Sequence, residues 1–416
     1  MKKYVLAGAG NRGYWMYAKA IRDEYADCAV LAGIMDVNKM RAEYVKRQMG
    51  QDIPVYTDFA KMLREVKPDC AIITTTDRYH NDYVVQALDM GVEVICEKPL
   101  TIDEVKLNQI LDARERTGKN VRVTFNCRYM PHFEKIKELL AKGAVGQVYS
   151  VHFEWMLDCV HGADYFRRWH RRIENSGGLL VHKSTHHFDI VNWLIEQDPE
   201  EVSAFGALRF YGDEKRQKGL RCSTCTEQTT CPFVYPGLSE PSVREMYFDC
   251  EKEDGYFRDR CVFDSEINIY DTMSLNVRYS KGASMTYSLT AYGPYEGWKL
   301  SITGSEGRLE AVQFDTGPQA EDTCFHIKVF DREDGVMTYD MKKGTGSHGG
   351  ADTKLLDNLF RAENSCGEEA DPLGQRAGLR AGALSILIGI AANKSIQEGK
   401  IVKIADLVEL DRLKGL

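Results

Sequence analysis

The stretch Gly8-Ala9-Gly10-Asn11-Arg12-Gly13 directly follows an apolar run, YVLA at residues 4–7, and leads into a segment with helical spacing at residues 11–24. This glycine pattern between a strand and a helix predicts a dinucleotide-binding turn. The glycines let the backbone approach a pyrophosphate, and the helix N-terminus offers free N–H groups to its oxygens. We expect contacts to the dinucleotide from Gly8, Gly10, Asn11, Arg12 and Gly13.

An acidic residue completes this pattern. Asp36 ends the second apolar run, 23 residues after Gly13. Its carboxylate can accept hydrogen bonds from the adenosine ribose hydroxyls and would repel a 2′-phosphate. The spacing therefore favours NAD over NADP as the cofactor.

Outward from this turn, residues 1–125 alternate short apolar runs with polar helical segments. The further strands are predicted at residues 29–35, 70–75, 92–96 and 121–125. Strands that alternate with helices of ten to fifteen residues predict a parallel sheet and the α/β class. We therefore expect a first domain over residues 1–125.

Residues 126–416 have a different pattern of apolar and polar residues. Alternating strands are predicted at 147–155, at 202–210 and repeatedly over 265–340, with helices at 180–195, 351–362 and 375–397. This pattern predicts an α+β domain with a large, mostly antiparallel open sheet. The helix at 375–397 is rich in Gly and Ala, which suits close packing back onto the first domain.

Length and composition narrow the functional classes. The chain has 416 residues, 54 Lys plus Arg against 62 Asp plus Glu, and a net charge of −8, which argues against a nucleic-acid partner bound by bulk basic charge. The most apolar stretch, 384–392, is too short to predict a membrane span. No export signal precedes the first strand, so the 12 cysteines indicate reduced thiols in a cytoplasmic protein.

A second motif follows the fourth predicted strand. Glu97, Lys98 and Pro99 lie at its carboxyl end, the edge of a parallel sheet at which ligands bind. A lysine at this edge faces the cleft, and the proline fixes the turn that directs it. Alone the tripeptide reads as a surface turn, but beside the dinucleotide-binding turn it indicates an active site.

Together these motifs resemble the Gfo/Idh/MocA family (glucose–fructose oxidoreductase, inositol dehydrogenase and rhizopine catabolism). The resemblance rests on the glycine turn, Cys96–Pro99, Asn126–Tyr129, a G-G…H-x-x-D segment at Gly177–Asp189, and H-G-G-x-D at His348–Asp352. It implies an N-terminal Rossmann domain and a C-terminal domain whose open sheet walls the substrate site and joins subunits into a homodimer or homotetramer. The activity it implies is NAD(P)-dependent oxidation or reduction of a sugar, a polyol or a related hydroxyl.

The resemblance also places a lysine, an aspartate and a histidine in the site. Lys98 and His186 match the first and last, but the aspartate position is occupied by His182. A histidine that titrates near the working pH suits removal of a hydroxyl proton, and a lysine stabilises the developing alkoxide. We assign His186 as acid/base and Lys98 as its polarising partner. His182, with Lys183, is a supporting or substrate-binding group, and the His182–His186 pair is alternatively a pair of metal ligands.

Other polar residues are predicted to line the cleft. On the cofactor side these are Thr75, Thr76, His80, Glu97 and Asn126. On the substrate side they are Arg128, Tyr165, Arg168, Trp169 and His348, with the aromatic residues stacking on a sugar ring. The alternative for the basic stretch at 167–172 is a solvated loop.

A cysteine cluster needs a separate explanation. Cys222, Cys225 and Cys231 lie close together in a predicted insertion at about 212–264, and Cys250 is the natural fourth thiolate, with Cys261 as its substitute. Four thiolates suit a structural Zn²⁺ that would staple the insertion over the pocket. Unligated thiols, an iron–sulfur cluster and a disulfide remain as alternatives.

Three functional hypotheses follow. The first is an NAD-dependent oxidoreductase acting on a secondary hydroxyl of a small carbohydrate. The second is a redox-neutral glycosidase, lyase or epimerase that keeps NAD bound and passes through a transient 3-keto sugar. The third is a catalytically silent, NAD-dependent sensor, against which the presence of both Lys98 and His186 argues.

Overall fold

The first sheet is parallel and six-stranded in a computed structural model that describes residues 1–344, 346–362 and 371–416. Its strands, in the order β3-β2-β1-β4-β5-β6, are β1 Lys2–Ala7, β2 Ala29–Met35, β3 Val55–Tyr56, β4 Cys70–Ile73, β5 Glu93–Cys96 and β6 Val121–Val123. The order reverses between β1 and β4, and their carboxyl ends form the crevice in which such sheets bind ligands. The predicted Rossmann-like sheet is confirmed.

Helices cover this sheet, and three of them begin at a capping side chain. They are a π-helical turn Gly13–Ala18, α1 Lys19–Asp23, α2 Lys39–Met49, α3 Phe59–Val66, α4 His80–Asp89 and α5 Glu104–Thr117. Asn38 caps α2 by accepting from the N–H of Arg41 at 3.1 Å, and Asp103 caps α5 in the same way. Capping satisfies backbone donors that the first helical turn leaves without partners.

The second sheet has nine strands in the order β14-β13-β12-β11-β7-β10-β9-β8-β15. They are β7 Val148–Asp158, β8 Pro199–Ala207, β9 Thr272–Tyr279, β10 Ser284–Gly293, β11 Gly297–Gly304, β12 Gly307–Phe314, β13 Cys324–Asp331, β14 Val336–Lys342 and β15 Val402–Lys403. The β7–β10 pair is parallel and the other neighbours are antiparallel. The predicted large, mostly antiparallel sheet is confirmed.

Ten α-helices are described in the chain after β6, and some of them cover the second sheet. They are α6 Pro131–Ala141, α7 Cys159–Arg167, α8 Ile173–Ser176, α9 Leu179–His182, α10 Ser184–Ile195, α11 Pro241–Met246, α12 Glu251–Asp254, α13 Ala351–Phe360, α14 Leu379–Glu398 and α15 Asp411–Lys414. The helix predicted at 180–195 is two helices, α9 and α10, which meet at Lys183. This break sets the side chains of His182 and His186 on different helices.

The long helix α14 joins the two domains. A Cβ on Gly382 would lie 2.8 Å from a methyl group of Val123 in β6, and one on Gly389 would collide with the carbonyl of Leu180. Glycine is therefore required for this close approach. α14 is long and apolar enough to cross a membrane by length and composition, and 72% of its most apolar window is buried inside the structure, as in the core helix of a folded domain.

The insertion between β8 and β9 contains several short helices and reaches the first domain. Met246 and Tyr247, at the end of α11, are buried in the same apolar cluster as Tyr14 and Tyr44 of the Rossmann domain. The insertion therefore lies against the edge of the first sheet that carries the dinucleotide-binding turn.

Candidate active site

A cavity of about 450 Å³ opens between the carboxyl edge of the first sheet and the face of the second. It is lined by aromatic, charged and imidazole side chains, among them Asn126, Trp155, His161, Lys183, His186, His187, Glu296, Trp298, Asp315, Lys343 and His348. Concave sites of this size with a few convergent polar groups are typical ligand sites.

Lys98 lies just after β5, as its motif predicts. Its Nζ donates to the backbone carbonyl of His182 at 3.3 Å, which ties the two domains together. Burial lowers the pKa of Lys98 to about 8, although the carboxylates of Asp77 and Glu97 oppose the shift. An ammonium group with so low a pKa is poised to change its charge near neutral pH.

His182 is paired with a carboxylate that the sequence analysis did not select. Its Nδ1 lies 2.6 Å from Oδ2 of Asp77, and both side chains are buried. Burial lowers the pKa of His182 and raises that of Asp77, while the nearby Lys98 ammonium favours the ionised form of Asp77. The pair reproduces an aspartate–histidine arrangement with its carboxylate supplied by the first domain.

His186 lines the cavity itself. Its Nδ1 is buried and has no hydrogen-bond partner within the described ranges of the chain. Burial first, and then the positive charges of Lys98 and Lys183, hold the pKa of His186 well below its usual value. The imidazole is therefore neutral at physiological pH and can accept a proton from a bound ligand.

The H-G-G-x-D motif supplies another wall. Asn126 donates from Nδ2 to Asp352 at 2.7 Å, and Nδ1 of His348 lies 2.9 Å from the other carboxylate oxygen. Asn126 and His348, both predicted site residues, line the cavity at this wall. Asp352 fixes the side chains of both.

A third group of wall residues surrounds Trp155 and Glu296, and Lys183 is its one member that the sequence analysis selected. His161 lies 2.9 Å from Glu296 through Nδ1 and 3.0 Å from the Tyr165 hydroxyl through Nε2. His187 stacks on Trp155 at 4.0 Å between ring centroids, and the ammonium of Lys183 lies 5.1 Å from the centre of the same indole. His161 and Glu296 come from separate elements and share no local motif, so only their tertiary position identifies them.

Three of the predicted substrate residues lie elsewhere. Arg128 is buried in a two-pronged ion pair with Asp189, at 2.7 and 2.6 Å, so it braces the fold. Trp169 stacks on His170 at 3.7 Å and meets the His182 ring edge to face, and it is not among the residues that line the cavity. The guanidinium of Arg168 lies 3.4 Å from Asp164. None of the three is among the residues that line the 450 Å³ cavity, so their contact with a substrate stays a prediction.

The dinucleotide-binding turn has the close backbone approach that its glycines predict. Cβ atoms at Gly8 and Gly13 would lie 2.7 Å from Thr74 atoms, and Gly8 has a φ of +99°. The carboxylate of Asp36 accepts from the N–H groups of Ala9 and Asn38, each at 2.8 Å. Such a turn can receive a pyrophosphate, and Asp36 lies where a ribose would be read.

Side chains around the turn are held by Glu97. Its carboxylate accepts from Arg12 Nε at 2.7 Å and from Tyr17 Oη at 2.6 Å, so Glu97 and Arg12 stabilise the turn. Burial raises the pKa of Glu97, but the charges of Arg12 and Lys98 and the hydrogen bonds from Arg12 and Tyr17 together hold it below its usual value.

The end of β4 provides an observation that fits a cofactor. The hydroxyl of Thr75 is buried and has no hydrogen-bond partner in the part of the chain described. A buried hydroxyl without a partner at this edge fits a contact with a dinucleotide, and the neighbouring Thr76 is half-buried there.

His80 instead points inward, with its ring nitrogens 2.8 Å from the carbonyl of Pro99 and 3.1 Å from that of Thr75. His80 therefore braces this edge, which corrects its predicted role as a cofactor contact.

The cysteines divide differently from the prediction. Cys222, Cys225, Cys231 and Cys261 line one small cavity of about 50 Å³. Cys250 lies apart from them and its thiol donates to the carbonyl of Glu245 at 3.3 Å, so the assignment of Cys250 as the fourth member is corrected to Cys261. Within residues 1–344, 346–362 and 371–416, no group of three His, Cys, Asp or Glu side chains is arranged to hold a metal ion. His182 and His186 are therefore not part of such a group.

Comparisons with known proteins agree with this architecture. Residues 2–125 match the model of the NAD-binding Rossmann fold of the oxidoreductase family Gfo/Idh/MocA, and residues 137–404 match that of its C-terminal alpha/beta domain. The Bacillus subtilis (strain 168) protein YteT, named as an oxidoreductase, is 34% identical over 99% of this chain and 100% of its own length. Myo-inositol 2-dehydrogenase of Thermotoga maritima is 24% identical over 44% of this chain and 52% of its own length.

Solved structures show the same fold. A levoglucosan dehydrogenase in complex with NADH aligns with a TM-score of 0.70 at 16% identity, over 97% of this chain and 99% of that one. An Agrobacterium radiobacter oxidoreductase in complex with NAD⁺, L-tartaric acid and magnesium aligns with a TM-score of 0.66 at 17% identity, over 98% and 99% of the two chains. With both domain models matched in order along the chain, this protein is a member of the Gfo/Idh/MocA oxidoreductase family.

Proposed function

We propose that the protein is an NAD-dependent oxidoreductase that moves a hydride between nicotinamide and a secondary hydroxyl of a sugar, a polyol or a sugar derivative. The observations that carry this proposal are the bond from Lys98 to the His182 carbonyl, the Asp77–His182 pair and the position of His186 in the cavity wall. NAD, when bound, supplies the hydride acceptor for the carbinol carbon.

In this proposal the proton is handled by His186. Its imidazole is neutral and its buried Nδ1 has no partner in the part of the chain described, so it can take the hydroxyl proton of the substrate. The ammonium of Lys98 stabilises the negative charge that grows on the same oxygen. The Asp77–His182 pair is a positioning group, because the backbone carbonyl of His182 accepts from Nζ of Lys98.

The walls of the cavity favour a polyhydroxylated ligand. Trp155 and Trp298 are apolar members of the lining, while Glu296, Asp315 and Lys183 offer hydrogen-bonding groups beside them. Mixed aromatic and polar walls suit a carbohydrate ring, which has apolar C–H faces and a rim of hydroxyls. The names of the relatives, inositol dehydrogenases and a levoglucosan dehydrogenase, support the same substrate class.

A redox-neutral reaction is the second candidate, and one contact favours it. The N–H of Asn11 in the dinucleotide-binding turn donates to the Tyr247 hydroxyl of the insertion at 2.8 Å. An insertion held against this turn would slow the exchange of NAD between turnovers. Retained NAD suits transient oxidation of a sugar followed by elimination or epimerisation and return of the hydride.

We also propose that the four-thiol cavity takes up zinc. Its support is the donor set, since Cys222, Cys225, Cys231 and Cys261 are the soft ligands that zinc prefers and all four line one cavity. Binding would draw the thiols together from their present positions and fix the surrounding insertion.

The test of the function is a substrate screen with matched histidine variants. Wild-type protein with NAD is incubated with sugars, inositols and glycosides, and both NADH and products are measured. We expect NADH formation with a polyol or sugar, and a loss of about 10²–10⁴-fold in kcat for His186→Gln, as for removal of a general base. His326→Gln is the control, because His326 is exposed and bonded to Asp322 and Asp340.

The possible outcomes separate the hypotheses. Product sugar released from a glycoside without accumulation of NADH contradicts net oxidation and supports the redox-neutral reaction. Equal turnover in His186→Gln and the control would contradict the role assigned to His186. A wild-type chain that binds NAD and turns over no member of the panel, with a biological effect that survives Lys98→Ala, would support the sensor hypothesis.

A further inference from the structure

We infer that the insertion forms one wall of the dinucleotide site, with Tyr247, Tyr256 and Arg258 facing the bound pyrophosphate. This inference rests on the NAD dependence proposed above and adds binding residues from the second domain to the glycine-rich turn of the first. It also means that the dinucleotide is enclosed between the two domains.

The contact between Tyr247 and the turn carries the argument. The hydroxyl oxygen of Tyr247 accepts from the backbone N–H of Asn11 at 2.8 Å, and a Cβ on Gly10 would lie 3.6 Å from the same oxygen. Backbone N–H groups after the second glycine of such a turn meet the pyrophosphate. The Tyr247 oxygen thus marks the place of a phosphate oxygen, and a small shift lets its O–H donate to one.

The neighbours of Tyr247 suit an anion. The guanidinium of Arg258 lies 4.0 Å from the centre of the Tyr247 ring, and its Nε donates to the Tyr235 hydroxyl at 2.8 Å. The hydroxyl of Tyr256 is buried and has no hydrogen-bond partner among the residues described. A buried donor beside a cation is satisfied by a phosphate oxygen, which accepts strongly from both.

The same segment is attached at the ribose end of the groove. Nδ2 of Asn38 donates to the carbonyl of Cys250 at 2.9 Å, and the Arg41 guanidinium donates to Asp254 at 2.9 Å. Asn38 and Arg41 follow Asp36, which is expected to read the adenosine ribose. The insertion therefore spans the groove from the pyrophosphate turn to the ribose site, so entry and exit of the dinucleotide require it to move.

The experiment measures binding of NADH by its fluorescence, with no substrate present. Arg258→Gln removes a charged donor, and we expect its Kd for NADH to rise by about 10- to 100-fold. Tyr247→Phe and Tyr256→Phe each remove one hydroxyl, and we expect a rise in Kd of about threefold to tenfold. Tyr25→Phe is the matched control, because the Tyr25 hydroxyl bonds Asp357 away from the groove at 2.9 Å.

The rates at which NADH binds and dissociates test whether the insertion encloses the dinucleotide. Asp254→Asn weakens the attachment to Arg41, and stopped-flow fluorescence should show faster association and faster dissociation of NADH in this variant. Thermal unfolding of each variant confirms that the chain is folded. Unchanged rates in Asp254→Asn would show that the insertion does not restrict exchange and would overturn the enclosure.

The remaining outcomes also decide the inference. Wild-type affinity in Arg258→Gln, Tyr247→Phe and Tyr256→Phe overturns the binding roles while leaving NAD dependence intact. Tighter binding in Tyr247→Phe overturns them as well, because it shows that the hydroxyl competes with the phosphate for the Asn11 amide. A wild-type chain that binds neither NADH nor NADPH overturns both this inference and the proposed function.

Discussion

Lys98 links the pH of the medium to the charge of the site. Its pKa of about 8 is lowered by burial, so its ammonium group loses its proton as the pH rises through the range in which many oxidoreductases are assayed. His186, with its lowered pKa, stays neutral through the same range. Lys98 is therefore the group expected to limit activity on the alkaline side of this range.

The resulting prediction concerns the alkaline limb of the pH profile. We expect kcat/KM for oxidation to fall above about pH 8, because the cation that stabilises the alkoxide is lost there. Lys98→Arg keeps its charge throughout this range, so whatever activity it retains should show no such fall. A wild-type rate that keeps rising through pH 9 would contradict a cationic role for Lys98.

Residues within motifs were predictable, while their partners were not. Lys98, His186 and Asn126 were selected as candidates because each lies in a short pattern at a strand end or helix start. Asp77 was missed although it follows Thr76 directly, because its partner His182 lies 105 residues away and no local pattern joins them. The pairing of Arg128 with Asp189 was missed for the same reason, since it is visible only in three dimensions.

At the scale of elements, the insertion between β8 and β9 has little apolar packing of its own. Its helices are short, and Pro241–Met246 and Glu251–Asp254 bury few apolar side chains of their own. A metal that joins Cys222, Cys225, Cys231 and Cys261 would supply the cross-link that such a segment needs. Cys250 provides an internal control because it lies in the same insertion and outside that cavity.

The prediction is zinc bound by the four thiols. Elemental analysis of purified protein should give about one zinc per chain, as one four-thiolate site requires. Cys225→Ser and Cys261→Ser should lose the metal and lower the melting temperature, and Cys250→Ser should keep both. Metal-free wild-type protein, or equal zinc content in Cys261→Ser and Cys250→Ser, would contradict the site.

Strands with a regular alternation of apolar and polar residues were predicted correctly, whereas the helix break and the insertion, which have no such pattern, were not. The alternating strands of the second sheet were predicted because one face is apolar along each of them, as in β9, where every second residue is buried. The sequence around Lys183 contains no helix-breaking proline or glycine, so it predicted one continuous helix where the structure has α9 and α10. The path of the insertion has no periodicity and was predictable only as a composition change.

At the scale of the whole molecule, the open face of the nine-stranded sheet is a candidate subunit contact. Phe205 on β8 is 78% exposed there, beside the exposed Ser274 of β9. Exposed aromatic residues on an otherwise polar face are common at subunit interfaces. We propose that copies of the chain associate through this face as a homodimer or homotetramer.

Sedimentation velocity tests that proposal. The wild-type chain should sediment as a dimer or tetramer, and Phe205→Glu should weaken association by about tenfold or more, because it places a charge in an apolar contact. Val105→Glu is the control, since Val105 is similarly exposed but lies on α5 of the first domain. A monomeric wild-type chain would contradict the proposal.

Hydrogen bonds between the two domains restrict which sequence changes such chains can accept during evolution. Asp77 bonds His182, Arg41 bonds Asp254, and Tyr25 bonds Asp357, so each domain carries half of several hydrogen-bonded pairs. If the Rossmann domain were exchanged for that of a relative, the new domain would lack the residues that pair with the second domain. Buried polar groups of the second domain would then have no hydrogen-bond partner. Recombination at the domain boundary is therefore disfavoured, and substitutions at these positions should occur in pairs, one on each side of the cleft.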